Sequence, residues 1–304
     1  MTALRAQGLS FCAIGFAVAA VAAAGFAPAP DGAAVLFLMA ALILLLGVPH
    51  GALDPVFAEE LYGVRGMRGW CGFVLAYLGT ALLVVLLWQY VPQLFLASFL
   101  MLSALHFSGD PARGTGVTAR LLFGGAVIVL PALLHEGEMA RLFACLVMPQ
   151  AARAQASVLH QLSGPWLLAT ALTVVWQARS DWLSGLEMAA TAALALLAPP
   201  LLGFAVFFCA MHSARHIVRT WHYVGAGAGP AARLGRTALL PMLGTLLLGA
   251  AAAYCWRAQP LEAGLIRWLF IGLAALTVPH MALVEPVRWS GWVRRRAPAS
   301  LDAG

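Results

Sequence analysis

Eight side chains in four short stretches carry the chemistry open to this sequence. Gly47-Val48-Pro49-His50-Gly51-Ala52-Leu53-Asp54 ends a long apolar run and sets a histidine and a carboxylate four residues apart. Ala104-Leu105-His106-Phe107-Ser108-Gly109-Asp110 repeats that spacing, and His212-Ser213-Ala214-Arg215-His216 pairs two histidines. Val278-Pro279-His280-Met281-Ala282-Leu283-Val284-Glu285 adds a histidine with an acid five residues on. On a helix, His212 and His216 at i, i+4 project from one face into the same space, a spacing suited to metal ligation. Ionisable side chains at membrane depth are costly, so they face an interior site rather than lipid. One such histidine alone is equally well read as a hydrogen-bonded interfacial imidazole. Four segments converging at one depth favour coordination.

An all-imidazole set without thiolate suits iron, copper, zinc or nickel. Four neutral histidines leave positions open on an octahedral ferrous ion, where dioxygen could bind. Zinc hydrolysis fits less well, because no glutamate stands between His212 and His216 to act as a general base. Metal-bound histidines pass their other ring proton to a carboxylate or carbonyl. Asp54 and Asp110 suit that role, with Glu285 close to the site; the competing reading makes the two aspartates helix caps or partners of nearby arginines. His135 and His160 fall in an outer loop and read as ordinary. His222, past the end of its helix on the inner side, reads as structural or substrate-proximal.

The elements that must position these residues are membrane helices. The chain is 62% hydrophobic and 10% charged, whereas soluble domains carry roughly 25% charged residues. The 18 basic residues are all arginine, and the net charge is +6. They lie in short loops between apolar runs, which reads as topology control at an anionic membrane surface and not as nucleic-acid binding. The five cysteines are scattered, with no Cys-x-x-Cys pair, and read as inert buried thiols. The fold class is an all-α integral membrane protein, a polytopic bundle in a single domain, residues 1–304. Ten candidate spans are Gly8–Ala27, Ala33–Val48, Gly69–Tyr90, Gln93–Phe107, Ala119–Leu134, Pro165–Ala178, Leu183–Ala198, Leu201–Ile217, Thr237–Trp256 and Gly264–Leu283, several of them short. Pro199-Pro200 predicts a tight helical hairpin. Arg141–Met148 is too short to span and reads as re-entrant or interfacial. Residues 1–31 form an additional N-terminal helix or a secretory signal with Ala27-Pro28-Ala29 as its small-residue site. A retained helix is favoured by its long apolar core. Residues 288–304 read as a basic cytoplasmic tail.

With the N-terminus inside, fourteen arginines fall in inner regions and three in outer loops. This bias places both termini in the cytoplasm of a multi-pass protein of the cell's inner membrane. The second, fourth, eighth and tenth spans then run outside to inside, and bring His50, His106, His212 with His216, and His280 to one depth near the cytoplasmic side. A weak internal repeat accompanies this design: Val48-Pro49-His50-Gly51-Ala52-Leu53 aligns with Val278-Pro279-His280-Met281-Ala282-Leu283, each followed by an acid and a proline.

Pro49-His50-Gly51-Ala52-Leu53-Asp54, Ser103-Ala104-Leu105-His106-Phe107, His212-Ser213-Ala214-Arg215-His216-Ile217-Val218-Arg219 and Pro279-His280-Met281-Ala282-Leu283 resemble the Brp/Blh family of membrane β-carotene 15,15′-dioxygenases. The resemblance runs from about Gly47 to Glu285, with all four motifs in order. It implies iron(II)-dependent cleavage of the central double bond of β-carotene by dioxygen, giving two molecules of all-trans-retinal. It implies His50, His106, His212 and His216 as the iron ligands, with His280 site-proximal, and a retinal-binding rhodopsin as a downstream partner. A wholly apolar polyene dissolved in the bilayer needs no aqueous delivery, and Phe107, Phe207, Phe208, Trp221 and Tyr223 are candidate lining. Two other classes compete. A bis-histidine haem cytochrome would put its ligands on different helices, whereas His212 and His216 share one face. A non-enzymatic transport or assembly protein would use the same acids and histidines as a proton relay.

Overall fold

Apolar runs punctuated by proline, glycine and arginine fold here into helices, and no strand occurs among the described residues. The computed structural model describes residues 2–27, 32–224, 230–255, 261–289 and 292. In chain order the helices are α1 (Ala3–Ala23), α2 (Ala33–Leu42), α3 (Asp54–Tyr62), α4 (Gly66–Tyr90), α5 (Pro92–Phe107), α6 (Val117–Val129) and α7 (Pro131–Ala144). They continue with α8 (Pro149–Ser180), α9 (Trp182–Leu197), α10 (Pro200–Val206), α11 (Ala214–Val224), α12 (Pro230–Cys255) and α13 (Leu261–Trp289). Proline opens α5, α7, α8 and α10 at their first positions, where a missing N–H costs nothing and φ is preset. Gly63 ends α3 in the left-handed region at φ 62°.

Among the described residues, seven helical segments are long and apolar enough to cross a bilayer, and the bent pair of α6 with α7 is either a broken eighth span or a re-entrant loop. Each of the ten expected spans corresponds to a helix, but the count of ten spans is not reached. Helices α5 and α9 have 16 residues each; they rise about 24 Å, short of a roughly 30 Å hydrocarbon core. Expected span Ala119–Leu134 is broken at Pro131 by a 45° bend. The first four residues of Arg141–Met148 are the last of α7. The expected hairpin at Pro199-Pro200 separates α9 from α10. Most of Ala27-Pro28-Ala29 lies outside the described residues, as does the basic tail beyond Trp289 apart from Trp292. Arg288 stands in the last turn of α13 and is only 2% exposed.

Burial separates two kinds of spanning helix. In α4 and α12 only 6% of the best apolar window is buried, and leucines such as Leu75, Leu83, Leu240 and Leu247 point outward. Such surfaces suit lipid contact. In Pro200–Val224 the share is 56%, and in Ala263–Arg288 it is 44%. Among the seven long segments, the three most enclosed, which include 34–62 at 39%, carry His212 with His216, His280 and His50.

Behind them lies a core of Phe11, Phe107, Phe123, Phe207, Phe208 and Met211, with Phe107 and Phe207 meeting edge to face at 5.1 Å. Helix α1 packs along α9 and also against α11. One polar network crosses this seam. Arg215 and Glu187 are each 4% exposed, and Arg215 Nη1 donates to Glu187 Oε2 at 2.8 Å. Arg215 Nε donates to Gln7 Oε1 at 2.8 Å, while Gln7 Nε2 donates to Ala210 O at 2.8 Å. The network ties α1 and α9 to the helix holding His212 and His216.

Removing one partner of a buried ion pair leaves the other charge uncompensated. Glu187→Ala should therefore destabilise the protein by about 3–5 kcal/mol, read as a lowered thermal unfolding midpoint of the detergent-solubilised protein. Glu187→Gln, which keeps hydrogen bonds to the guanidinium, should lose less.

Candidate metal centre

The segment 34–62 changes its winding on the way to His50. Between α2 and α3 it passes through a π-helical turn, Ile43–Gly47, and a 3₁₀ turn, Val48–Leu53, with Pro49 near the start of the latter. The segment 200–224 does the same, with a π turn at Phe207–Ser213 between α10 and α11. Such turns offset the helical hydrogen-bond ladder and re-aim the side chains that follow, and they gather at functional sites. Here the two π turns face each other. Ser213 Oγ donates to Leu46 O at 2.6 Å and Gly47 O at 3.0 Å, and Cys209 Sγ to Leu42 O at 3.4 Å. Gly47 is needed at this crossing, since a Cβ there would overlap the ring of Phe208.

The result is a cluster of five buried imidazoles: His50, His106, His212, His216 and His280, each at most 7% exposed. Ring centroids lie 4.6 Å apart for His106 and His212 and 4.8 Å for His50 and His212. His280 stands 5.0 Å from His50 and 5.2 Å from His106, and His216 stands 5.5 Å from His50. One ligand atom from each of His50, His106 and His212 lies within 4.8 Å of the others. The cluster includes all the motif histidines. His160 Nδ1 donates to Ala132 O at 2.9 Å, and His222 Nδ1 donates to Val218 O in its own helix at 2.7 Å; neither joins the cluster. His135 sits at a kink inside α7.

The carboxylates are shared between motifs in a way the sequence order does not show. Asp54 follows His50, yet its Oδ1 lies 2.6 Å from His280 Nδ1. Glu285 follows His280, yet its Oε1 lies 2.7 Å from His106 Nδ1. Asp110 follows His106, yet its Oδ2 lies 2.8 Å from His212 Nδ1. Each acid holds a histidine carried by another helix. His50 Nδ1 is held instead by the carbonyl of Gly47. A ring whose Nδ1–H is taken by an oxygen presents Nε2 as a lone pair.

Arginines, which by sequence served only to orient the chain, complete the arrangement. Arg215 and Arg219 are interleaved with His212 and His216 on one helix. Arg219 donates to the carbonyls of Gly109, Asp110 and Pro111 at 2.9, 2.8 and 3.0 Å, and Arg215 Nη1 to Asp110 O at 3.3 Å. They grip the loop after α5 and so aim the Asp110 carboxylate. Arg288 Nη2 donates to Asp110 Oδ1 at 2.9 Å, and its Nη1 to Glu285 Oε1 at 3.1 Å beside the His106 ring. Gly109 makes room, because a Cβ there would strike the Arg288 guanidinium. Burial alone would raise the Asp110 pKa, but His212, Arg288 and Arg219 together hold it below the usual carboxylate range. Asp110 is thus both a histidine partner and an arginine partner. The sequence reading missed Arg215, Arg219, Arg288 and Tyr77, whose hydroxyl donates to Asp54 Oδ2 at 2.8 Å. The i, i+4 spacing of Arg215 and Arg219, in step with the paired histidines, was the available signal.

These residues fit a transition-metal ion. His212 Nε2, His280 Nε2 and both ring nitrogens of His216 are buried with no hydrogen-bond partner. Unprotonated imidazole nitrogens facing one another in an apolar interior repel, and a cation among them relieves that repulsion. Apolar rings close the site: Phe107 meets His212 edge-on at 5.0 Å and Phe208 stacks on it at 5.6 Å. Among the other candidate lining residues, Phe207 packs in the core with Phe11, Tyr223 packs on Phe57, and Trp221 is 42% exposed.

The family model described as Beta-carotene 15,15'-dioxygenase matches residues 41–287. A protein from an uncultured marine bacterium, named Beta-carotene 15,15'-dioxygenase, is 28% identical over 252 residues, covering 81% of this chain and 91% of the relative. No solved structure matches the chain significantly.

Partners that orient a metal-bound histidine typically contribute tenfold to hundredfold in affinity. Asp110→Asn and Glu285→Gln should each lower the affinity of the cluster for a divalent transition-metal ion by about 10- to 100-fold, measured by anaerobic competition with a chelator.

Proposed function

The chain belongs to the beta-carotene 15,15'-dioxygenase family, and from that premise we propose that it cleaves the central 15,15′ double bond of β-carotene with dioxygen to give two molecules of all-trans-retinal. The observation that carries this reading is the buried all-imidazole cluster with ring nitrogens left without partners. In it His50, His106, His212 and His216 hold Fe(2+). Bound there, iron supplies activation of dioxygen. One double bond and one O2 become two aldehydes, so atoms balance without a further reductant.

The chain's own residues do the rest. Gly47 O, Glu285 and Asp110 hold the Nδ1 atoms of His50, His106 and His212; Nε2 of His212 is left buried without a partner, while Arg288 Nη1 stands 3.2 Å from Nε2 of His106. Arg288 offsets the charge of Asp110 and Glu285. Phe107 and Phe208 exclude water from the reacting centre, which protects an oxidisable polyene and strengthens every charge interaction inside. The substrate reaches the site from the bilayer, in which it dissolves, so enzyme and substrate share one phase. The protein lies in the inner membrane as a single domain with both termini cytoplasmic. Its retinal is suited to a retinal-binding rhodopsin.

Carboxylates on three of the imidazoles, those of Asp54 and Asp110 buried, favour this centre over a bis-histidine haem, which needs two facing ligands and has no use for the rest. Expression in a β-carotene-producing bacterium tests the reading. Loss of orange colour with retinal formation is expected, and His50→Ala or His212→Ala should reduce retinal to background. Unchanged carotene alongside well-expressed protein would overturn the substrate assignment.

A further inference from the structure

The cluster contains one imidazole more than the four proposed ligands. We infer that His280 is a fifth ligand of the same metal, held in place by Asp54 and Tyr77; this rests on the reading that the cluster binds iron.

His280 is 2% exposed and sits inside the cluster, 5.0 Å from His50, 5.2 Å from His106 and 5.3 Å from His216 between ring centroids. These separations are close to those among His50, His106 and His212. Its Nδ1 donates to Asp54 Oδ1 at 2.6 Å, which leaves Nε2 as an unprotonated nitrogen. That Nε2 is buried and has no hydrogen-bond partner. A histidine serving only packing satisfies both nitrogens or faces solvent; this one satisfies Nδ1 alone. His212 shows the same pattern, with Nδ1 on Asp110 and Nε2 unpartnered.

The support behind His280 is built for orientation. Asp54 is itself 2% exposed, and its second oxygen takes the Tyr77 hydroxyl at 2.8 Å. Tyr77 comes from α4, a helix with no buried residue, and turns inward to make this bond. Both carboxylate oxygens therefore accept a hydrogen bond. The repeat agrees: His280 occupies in Val278-Pro279-His280 the place that His50 occupies in Val48-Pro49-His50. By contrast, neither ring nitrogen of His216 is held by an oxygen, so His280 is the better oriented of the two.

The test uses full-length protein in detergent, loaded anaerobically with ferrous iron. Wild type should bind one iron. His280→Gln, which can still donate an amide hydrogen to Asp54, should weaken binding about 10- to 100-fold, while its thermal unfolding in the metal-free form stays near wild type. Tyr77→Phe and Asp54→Asn should weaken it in the same direction and by less. Cobalt(II)-loaded protein supplies a second readout, because loss of a ligand changes the visible d–d bands, and a merely structural role would leave them unmoved. In His280→Gly, added imidazole should restore both iron affinity and the cobalt spectrum. Equal affinity and an unchanged cobalt spectrum in His280→Gln would overturn the fifth ligand and leave the metal centre standing. A well-folded wild type that binds no iron would overturn both.

Discussion

Three carboxylates, two of them buried and the third half-buried, each given by one motif to the histidine of another, are the constraint on which the rest of this structure depends. Asp54 reaches from the start of α3 to His280 on α13, Glu285 reaches from α13 to His106 on α5, and Asp110 reaches from the loop after α5 to His212. Burying a carboxylate is tolerable only when its charge is met and its lone pairs are filled. Each acid therefore demands that a second helix arrive at a defined depth and rotation. A shift of one residue along any of these helices would move the imidazole off its acceptor. The exchange closes the bundle around one point.

The surrounding helices are shaped to make that exchange possible. Two π turns and a 3₁₀ turn interrupt otherwise continuous helices beside His50 and His212, and the backbone groups they displace are taken up across the crossing by Ser213 and Cys209. Arg215 and Arg219 hold the Gly109–Pro111 carbonyls, and Arg215 is in turn paired with Glu187 and Gln7. The outermost support lies on α1, which the family match at 41–287 does not include. Helices α4 and α12 keep their leucines outward and contribute little to this centre, with Tyr77 the exception on α4. A chemistry built on an oxidisable apolar substrate has a reason for this division. The reacting centre is kept dry by phenylalanines, while lipid-facing helices keep the enzyme in the phase where a carotenoid dissolves.

The membrane class and the helical fold were legible from composition alone, because so much apolar surface has no soluble solution. The identity of the clustered residues was legible too: histidines at the ends of apolar runs have no inexpensive place except beside one another. The span count was less secure. Hydropathy marks where apolar residues are, but Pro131 bends one run in two, and α5 and α9 are too short to cross unaided. Periodicity cannot separate a short buried helix from a short span.

What the sequence determined by itself was therefore a membrane protein with a histidine-rich centre and acids close to each histidine. Sequence proximity set Asp54 beside His50, Asp110 beside His106 and Glu285 beside His280. Only the tertiary structure decided that each acid serves a different helix, that Arg288 lies inside among them, and that His280 turns a free nitrogen into the cluster. The physical reason is that a residue four or five positions along points past its neighbour's ring toward the next helix. Its partner is set by which helix packs there, and packing is a property of the whole bundle.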